Sequence, residues 1–395
     1  MYKKSKIVKI FNKIVMYGLI STFVSILALN AMTVNYLTKE KNIALAQMIP
    51  GWGRQYKPIM YDTVKSKSVS FGASWVRDAF DPIISENITG SSFFNHGISG
   101  ATAYESFRFI QSIIANSDLI NAYINIESFY DPLNGQLKKQ GFDEKILHID
   151  QNGYKNDFVE IHRFKNLYTS GSSIGYNFQL SKARYLISSG QKIDTISPSY
   201  QLIDWNKYER ELEQLRIKLF KPSVNKKSDN LTRKPTFNYL LASVGLLCDN
   251  DTKVHLYETP HHVFFKGCDE KYAHTTDLIE ELNRLPRSCK KNLSYHSFRY
   301  PNAITLDAML DKDQENKFYR PDGHPTPYLG IEILKKLHNL SYDSKPNLED
   351  FGVDLMKMPL NEMKAWVRNR QNRCSGVWEE KDMLILKSDI NQLRK

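Results

Sequence analysis

The sequence predicts an α/β fold, one doubly wound parallel sheet behind a single N-terminal transmembrane helix. Three observations carry it. Strand-like apolar runs alternate with helix-like stretches over residues 62–340, which indicates parallel strands joined by helices. Two short Gly/Ser turns each follow a predicted strand, and an Asp-Gly-His turn stands just before the last predicted helix of the α/β unit. The chain also opens with Lys3, Lys4, Lys6, Lys9 and Lys13, followed by the uncharged stretch Ile14–Thr38. The composition, 41% hydrophobic and 25% charged over 395 residues, excludes a disordered, collagen-like or coiled-coil chain. At that length two domains, or one enlarged domain, are expected.

Residues 1–13 read as a basic cytoplasmic stub and 14–38 as a signal anchor. About 20 apolar residues cross a bilayer, and lysines ahead of the span stay in the cytoplasm. A cleaved signal peptide ending at Ala44-Leu45-Ala46 is the alternative, with its cleavage site far from the apolar run. Charge supports a membrane rather than a nucleic-acid partner. Of the net +11, +6 lies in residues 1–41, so the body needs no basic groove.

Residues 39–61, with Pro50, Gly51, Gly53 and Pro58, read as a linker. Ser68–Phe71 is the first strand and Ser92–Asn95 the second. Ala101–Ala115 is a helix with Phe107, Ile110, Ile113 and Ile114 at helical spacing. Leu119–Ile126 and Lys253–Tyr257 are the third and fourth strands. Between them, about 131–235 is an insertion placed to roof a cleft, with one helix over Trp205–Phe220. Its aromatics Tyr168, Tyr176, Phe178, Tyr185 and Tyr200 either stack on sugars or form core. Thr276–Leu285 and Tyr328–Leu337 are helices, and 341–395 is a helical extension with a helix over Leu360–Arg370.

Cys248, Cys268, Cys289 and Cys374 include no C-x-x-C pair, so zinc and thioredoxin-like chemistry lack support. Four cysteines in an exported domain permit two disulfides, with connectivity open, and buried thiols are the alternative. His255, His261 and His262 flank the fourth strand. Adjacent histidines do not readily chelate one ion, so no metal is expected.

The first turn, Gly72-Ala73-Ser74, sets a serine at a strand end before a helix, where free N–H groups favour developing negative charge. A plain helix cap is the bland reading. The second, Gly97-Ile98-Ser99-Gly100, lets a backbone N–H approach a ligand closely. In the third, Asp322-Gly323-His324-Pro325, aspartate can orient an imidazole whose other nitrogen takes a proton from serine. A solvated Asp-Gly turn is its bland counterpart.

Taken in chain order, these motifs resemble the SGNH (GDSL-like) hydrolase and acyltransferase superfamily over about Ser68–Leu337. The resemblance implies a flavodoxin-like sheet and a Ser-His-Asp acyl-enzyme mechanism without cofactor. It implies Ser74 as nucleophile, His324 as base, Asp322 as its acid, and the N–H groups of Ser74 and Gly100 as oxyanion donors. Ala73 stands where the family has Asp, and Asp322 lies two rather than three residues before the histidine. That Asp-x-His spacing is similar to the alginate-acetylation branch. The third block, normally Gly-x-Asn-Asp, has no clean match in Leu119–Ser128, where Asn125 falls in the strand and Glu127 and Ser128 near its end. Arg77, Asn95, Glu127, Ser128 and His261 are candidates for substrate contact, with Glu127 the second choice as acid. Arg77 and Asp78 either bind an anionic group or pair with each other.

The expectation is therefore an anchored, extracytoplasmic ester hydrolase or O-acyltransferase acting on an acylated surface glycan. Two alternatives are an inactive SGNH-fold component of envelope glycan machinery and a lipid esterase.

Overall fold

The computed structural model describes residues 2–37, 46–48, 53–129, 137–169, 237–261, 275–300, 302, 304–305, 318–319, 324–340, 348 and 351–380. The chain begins with α1 (Tyr2–Leu37), whose Val8–Met32 stretch is long and apolar enough to cross a membrane. Then follow α2 (Gly53–Val64), β1 (Ser68–Gly72), α3 (Ser74–Ala79), α4 (Pro82–Thr89), β2 (Phe93–Gly97), α5 (Ala103–Ile114) and β3 (Asn121–Asn125). After the described part of the insertion, with α6 (Val159–Thr169), come α7 (Phe237–Asp249), β4 (Lys253–Tyr257), α8 (Thr275–Asn283), α9 (Arg287–Lys290) and β5 (Leu293–Ser297). α10 (Pro327–Leu337), β6 (Val353–Asp354) and α11 (Leu360–Glu380) complete the order.

The sheet order is β2-β1-β3-β4-β5-β6, parallel except for the edge strand β6, which runs antiparallel to β5. The first five strands have the 2-1-3-4-5 order of flavodoxin-like folds, so the expected fold class is the observed one. Every residue of β1, β2 and β3 is buried, as a sheet covered on both faces requires. One face carries Val69, Phe71, Ile124 and Leu256 against Ile110 of α5 and Leu240 and Val244 of α7. The other carries Phe93, Tyr123 and Tyr257 against Phe80 and Ile333 of α10.

The register levels the strand ends. Gly72 pairs with Gly97, Phe71 with Ile124, and Asn125 with Tyr257, so the turns after β1 to β4 leave one edge together. The connection from β1 to β2 runs over one face and that from β2 to β3 over the other, making the β1/β3 carboxyl edge the switch point where such folds bind ligands.

Several segments differ from the sequence reading. Residues 53–61, expected as part of the linker, belong to α2, which buries Tyr56, Met60 and Tyr61. Its glycine and proline punctuation concealed an apolar face that also buries the charged Lys57. β5, β6 and α7 were not assigned, and α11 continues to Glu380 rather than stopping at Arg370. α11 is locked by Arg370, which donates to buried Glu258 at 2.7 Å and to Ser297 Oγ at 2.7 Å. The Trp205–Phe220 helix and the aromatics Tyr176, Phe178, Tyr185 and Tyr200 lie outside the described residues, whereas half-buried Tyr168 packs against the core. Cys248 of α7 is disulfide-bonded to Cys289 of α9, and Cys268 and the Cys374 side chain lie outside the described set.

Candidate active site

Ser74 is the first residue of α3, directly beyond the end of β1. A Cβ on Gly72 would stand 2.3 Å from Val76 Cγ2 and 3.0 Å from Asn125 Cβ, so only glycine lets β1 turn so sharply into α3. Ser74 Oγ lies 3.1 Å from His324 Nε2, across 250 residues of chain. A serine hydroxyl within hydrogen-bond reach of an imidazole nitrogen is the arrangement needed to generate a nucleophile.

His324 is held from two sides. Its loop closes on itself through a bridge between Tyr319 and Pro325, and Thr326 N–H donates to the Phe318 carbonyl at 2.9 Å. The Tyr319 hydroxyl donates to the Pro260 carbonyl at 3.1 Å, tying this loop to the exit of β4. The Trp75 indole stacks on the His324 ring with centroids 5.6 Å apart, and meets the His261 ring edge-on at 4.2 Å. Asp322, the expected acid, lies outside the described residues.

Glu127 does not bond to His324. Its carboxylate engages His261 Nε2 at 2.8 and 3.0 Å and accepts from Thr259 N–H at 3.2 Å. The pair shares Trp75 with His324, so Glu127 and His261 stand at the same edge as Ser74. His255 is elsewhere, stacked within 11° on Tyr123 and bonded to Ser294 Oγ, and His262 is outside the described residues. Burial lowers the His255 pKa to about 3, with His338, His296 and Lys253 adding repulsion.

The other expected substrate contacts are committed to scaffold. Asn95 is fully buried. Its amide donates to the Val76, Arg77 and Phe80 carbonyls at 3.0, 3.0 and 2.6 Å, and its oxygen accepts from Gly97 N–H at 2.8 Å. It thus caps α3 instead of facing a ligand. Arg77 donates to Asp78 at 2.7 and 3.0 Å and to Ser99 Oγ, so its guanidinium fixes the second turn. Ser128 Oγ donates to the Asn125 carbonyl at 2.8 Å, inside its own tight turn. The Asn125 amide donates one of its N–H groups to Thr259 Oγ1.

The second turn is packed onto α3 itself. A Cβ on Gly97 would stand 2.2 Å from Arg77 N. Gly100 has the left-handed φ of +59°, which glycine adopts without strain, and its carbonyl accepts from Arg54 at 2.9 Å. Arg54 also bonds Glu105, the acidic half of the capping box that starts α5. Buried Lys57 donates to the Asn95 and Gly97 carbonyls at 2.8 and 2.6 Å. Burial, then the nearby Arg77, push its pKa well below the usual lysine value. These α2 residues flank a cavity of about 130 Å³ with Arg77, Ile98 and Ser99. Sequence reading missed Trp75, Arg54 and Lys57. For the last two no local signal existed, because a lysine in a Gly/Pro-punctuated stretch reads as solvated linker.

No protein-family model matches the chain, and no curated protein matches it. Among solved structures the chain is similar to a GDSL-like lipase from Bacteroides thetaiotaomicron, with 12% identity, coverage of 73% of this chain and 96% of that one, and a TM-score of 0.30. The α/β assignment rests on the sheet order and not on this distant likeness.

Proposed function

We propose that the chain is a membrane-anchored, extracytoplasmic SGNH-type serine esterase or O-acyltransferase that acts on an acyl ester of a cell-surface polysaccharide. The observation that carries this reading is the 3.1 Å approach of Ser74 Oγ to His324 Nε2 at the switch point of the sheet. Neutral His324 takes the hydroxyl proton as Ser74 Oγ forms a bond to the acyl carbon. The N–H groups of Ser74 and Gly100 stabilise the resulting oxyanion. The bond to the departing sugar oxygen breaks, and His324 returns the proton to it. Water or another sugar hydroxyl then attacks the Ser74 ester, with His324 as base, and the acyl group leaves as acid or new ester. Asp322 takes the role of orienting the imidazole. The lysines ahead of Ile14 in α1 and the Cys248–Cys289 bond favour a body outside the cytoplasm.

The test is labelling of the full chain with a fluorophosphonate probe. Labelling that disappears in Ser74→Ala and His324→Ala supports the enzyme. Absence of labelling in folded protein removes it. A second reading, an inactive SGNH-fold binding component of envelope glycan machinery, is favoured by the third block, where Leu119–Ser128 has no Gly-x-Asn-Asp match, since losing one oxyanion donor costs roughly 10²–10³ in rate. Unlabelled protein that still binds acylated glycan would support it.

A further inference from the structure

α6 is apolar on its outer face as well as its inner one. Val159, Arg163 and Leu167 face inward, while Phe158, just ahead of the helix, and Ile161 and Phe164 within it stand 65%, 65% and 57% exposed along the outer face. Three large apolar side chains at successive i, i+3 positions on one outer face call for a covering surface. The charges among them, Lys155 and Lys165 against Asp157 and Glu160, balance, so attraction to that surface is apolar.

α1 indicates what covers it. α1 and α6 pack directly on each other. Asn30, a polar residue in the apolar stretch of α1, is buried in this contact and donates to the Tyr168 carbonyl in the last turn of α6 at 2.7 Å. Such an amide is costly in hydrocarbon, and here α6 supplies its acceptor. From Ile14, just past the last lysine, to Met32, α1 presents exposed apolar side chains over about 28 Å, close to the thickness of a bilayer core. Asn30 thus meets α6 in the last turns of this apolar stretch, near its non-cytoplasmic end, and the exposed face of α6 continues the apolar surface of α1 toward the level of the headgroups.

α6 is also rigidly placed relative to the sheet. Arg163 pairs with Asp62 in the last turn of α2, and Asp62 accepts from Asn116 at 2.9 Å, just after α5. Asp62 and Asn116 lie in the segments that lead into β1 and β3, so α6 is fastened at the amino edge, opposite Ser74.

We infer that α6 is a second, interfacial membrane contact whose Phe158, Ile161 and Phe164 rest in the non-cytoplasmic face of the bilayer that α1 crosses, turning the Ser74–His324 edge away from lipid. This rests on the membrane-anchored reading of α1. It narrows the substrate class to esters carried on chains that extend from the membrane, as opposed to the acyl chains of the bilayer lipids themselves. The exposed apolar face of α6 matches interfacial helices, which bury an apolar face a few ångströms into the headgroup boundary.

The full chain, reconstituted in phosphatidylethanolamine/phosphatidylglycerol nanodiscs, tests this with photoreactive p-benzoylphenylalanine replacing one residue at a time. Leu19 reports on the span, Phe158 and Phe164 on α6, and Leu137, exposed and adjoining the start of α5, on the catalytic edge. After illumination, peptides carrying positions 19, 158 and 164 should gain the mass of a lipid, and that carrying 137 should not. A lipid adduct at 19 with none at 158 and 164 overturns the inference and leaves the anchor standing. No adduct at 19 overturns the anchor and the inference together. Crosslinks from 158 and 164 to a second protein chain, or lipid at 137, also overturn the inference.

Discussion

Gly330 sits so close to Ala79 that a Cβ at position 330 would stand 1.8 Å from the Ala79 carbonyl oxygen. Gly330 is in α10, which begins three residues after His324, and Ala79 ends α3, which begins with Ser74. This backbone contact therefore clamps together the two helices that carry the candidate dyad.

Gly330→Ala is expected to force α3 and α10 apart. Overpacking of this kind costs about 1–3 kcal/mol, and a misplacement of about 1 Å in an active site can cost on the order of 100-fold in rate. Fluorophosphonate labelling of Gly330→Ala should slow by at least tenfold, a conservative reading of that range, while the far-ultraviolet circular dichroism keeps its helical signal. Wild-type labelling rates together with wild-type thermal stability would show that the contact does not align Ser74 with His324.

The parts that were legible in the sequence are those whose signals are local. β1, β2 and β4 are short apolar runs ending at glycine or proline, and the chain order of Ser74, Gly100 and His324 was readable from turn chemistry. β5 was missed because Ser294 and His296 interrupt its apolar pattern, polar residues that make sense only once Ser294 bonds to His255 of β4 and His296 pairs with Asp354 of β6. α2 was hidden because its buried face includes Lys57, whose partners are carbonyls around 40 residues distant. Asn95 and Arg77 looked like ligand contacts because each is polar near a glycine turn. Their hydrogen bonds to α3 and Ser99 are tertiary facts with no local trace.

Arg370 and Glu258 form a buried ion pair that joins α11 to the end of β4. Glu258 also accepts from Tyr295 at 2.9 Å and Thr275 at 3.1 Å. Removing one member of such a pair leaves an uncompensated buried charge, which costs about 3–5 kcal/mol. Arg370→Ala should lower the urea midpoint accordingly, and Arg370→Ala with Glu258→Gln should recover part of the loss. A single variant within about 0.5 kcal/mol of wild type, the range of ordinary surface substitutions, would place α11 outside the cooperative fold.

The Cys248–Cys289 bond closes a sequence separation of 41 between α7 and α9. Chain entropy for a loop of that length gives about 4 kcal/mol of stabilisation. Mass spectrometry of alkylated, unreduced protein should recover the two peptides covalently joined. Cys248→Ser with Cys289→Ser should unfold at lower urea than wild type, and reducing agent should no longer affect it through this bond. Both peptides alkylated in protein purified without reductant would refute the pairing.

Stability should fall as the solution is acidified from about pH 6.5, the unperturbed histidine value. Burial, with nearby Lys57 adding repulsion, lowers the His96 pKa to about 3. Burial lowers that of His296 to about 4, against an opposing pull from Asp354. In both cases the folded value is depressed, so below about pH 6.5 the unfolded chain binds protons that the folded chain does not. Each contribution is complete above the unfolded value and is lost progressively as pH falls toward the folded one, at about 1.4 kcal/mol per pH unit and per group. His96 gives the cleaner test. It is 2% exposed, its Nε2 has no hydrogen-bond partner among the described residues, and its ring packs 4.4 Å from that of Phe109. Phenylalanine keeps this packing and has nothing to protonate. Urea unfolding of His96→Phe between pH 6 and pH 4.5 should show a pH slope shallower than wild type by about one proton. An unchanged slope would mean that His96 is already neutral in the unfolded chain or protonated in the folded one, and either result would contradict its burial beside Lys57.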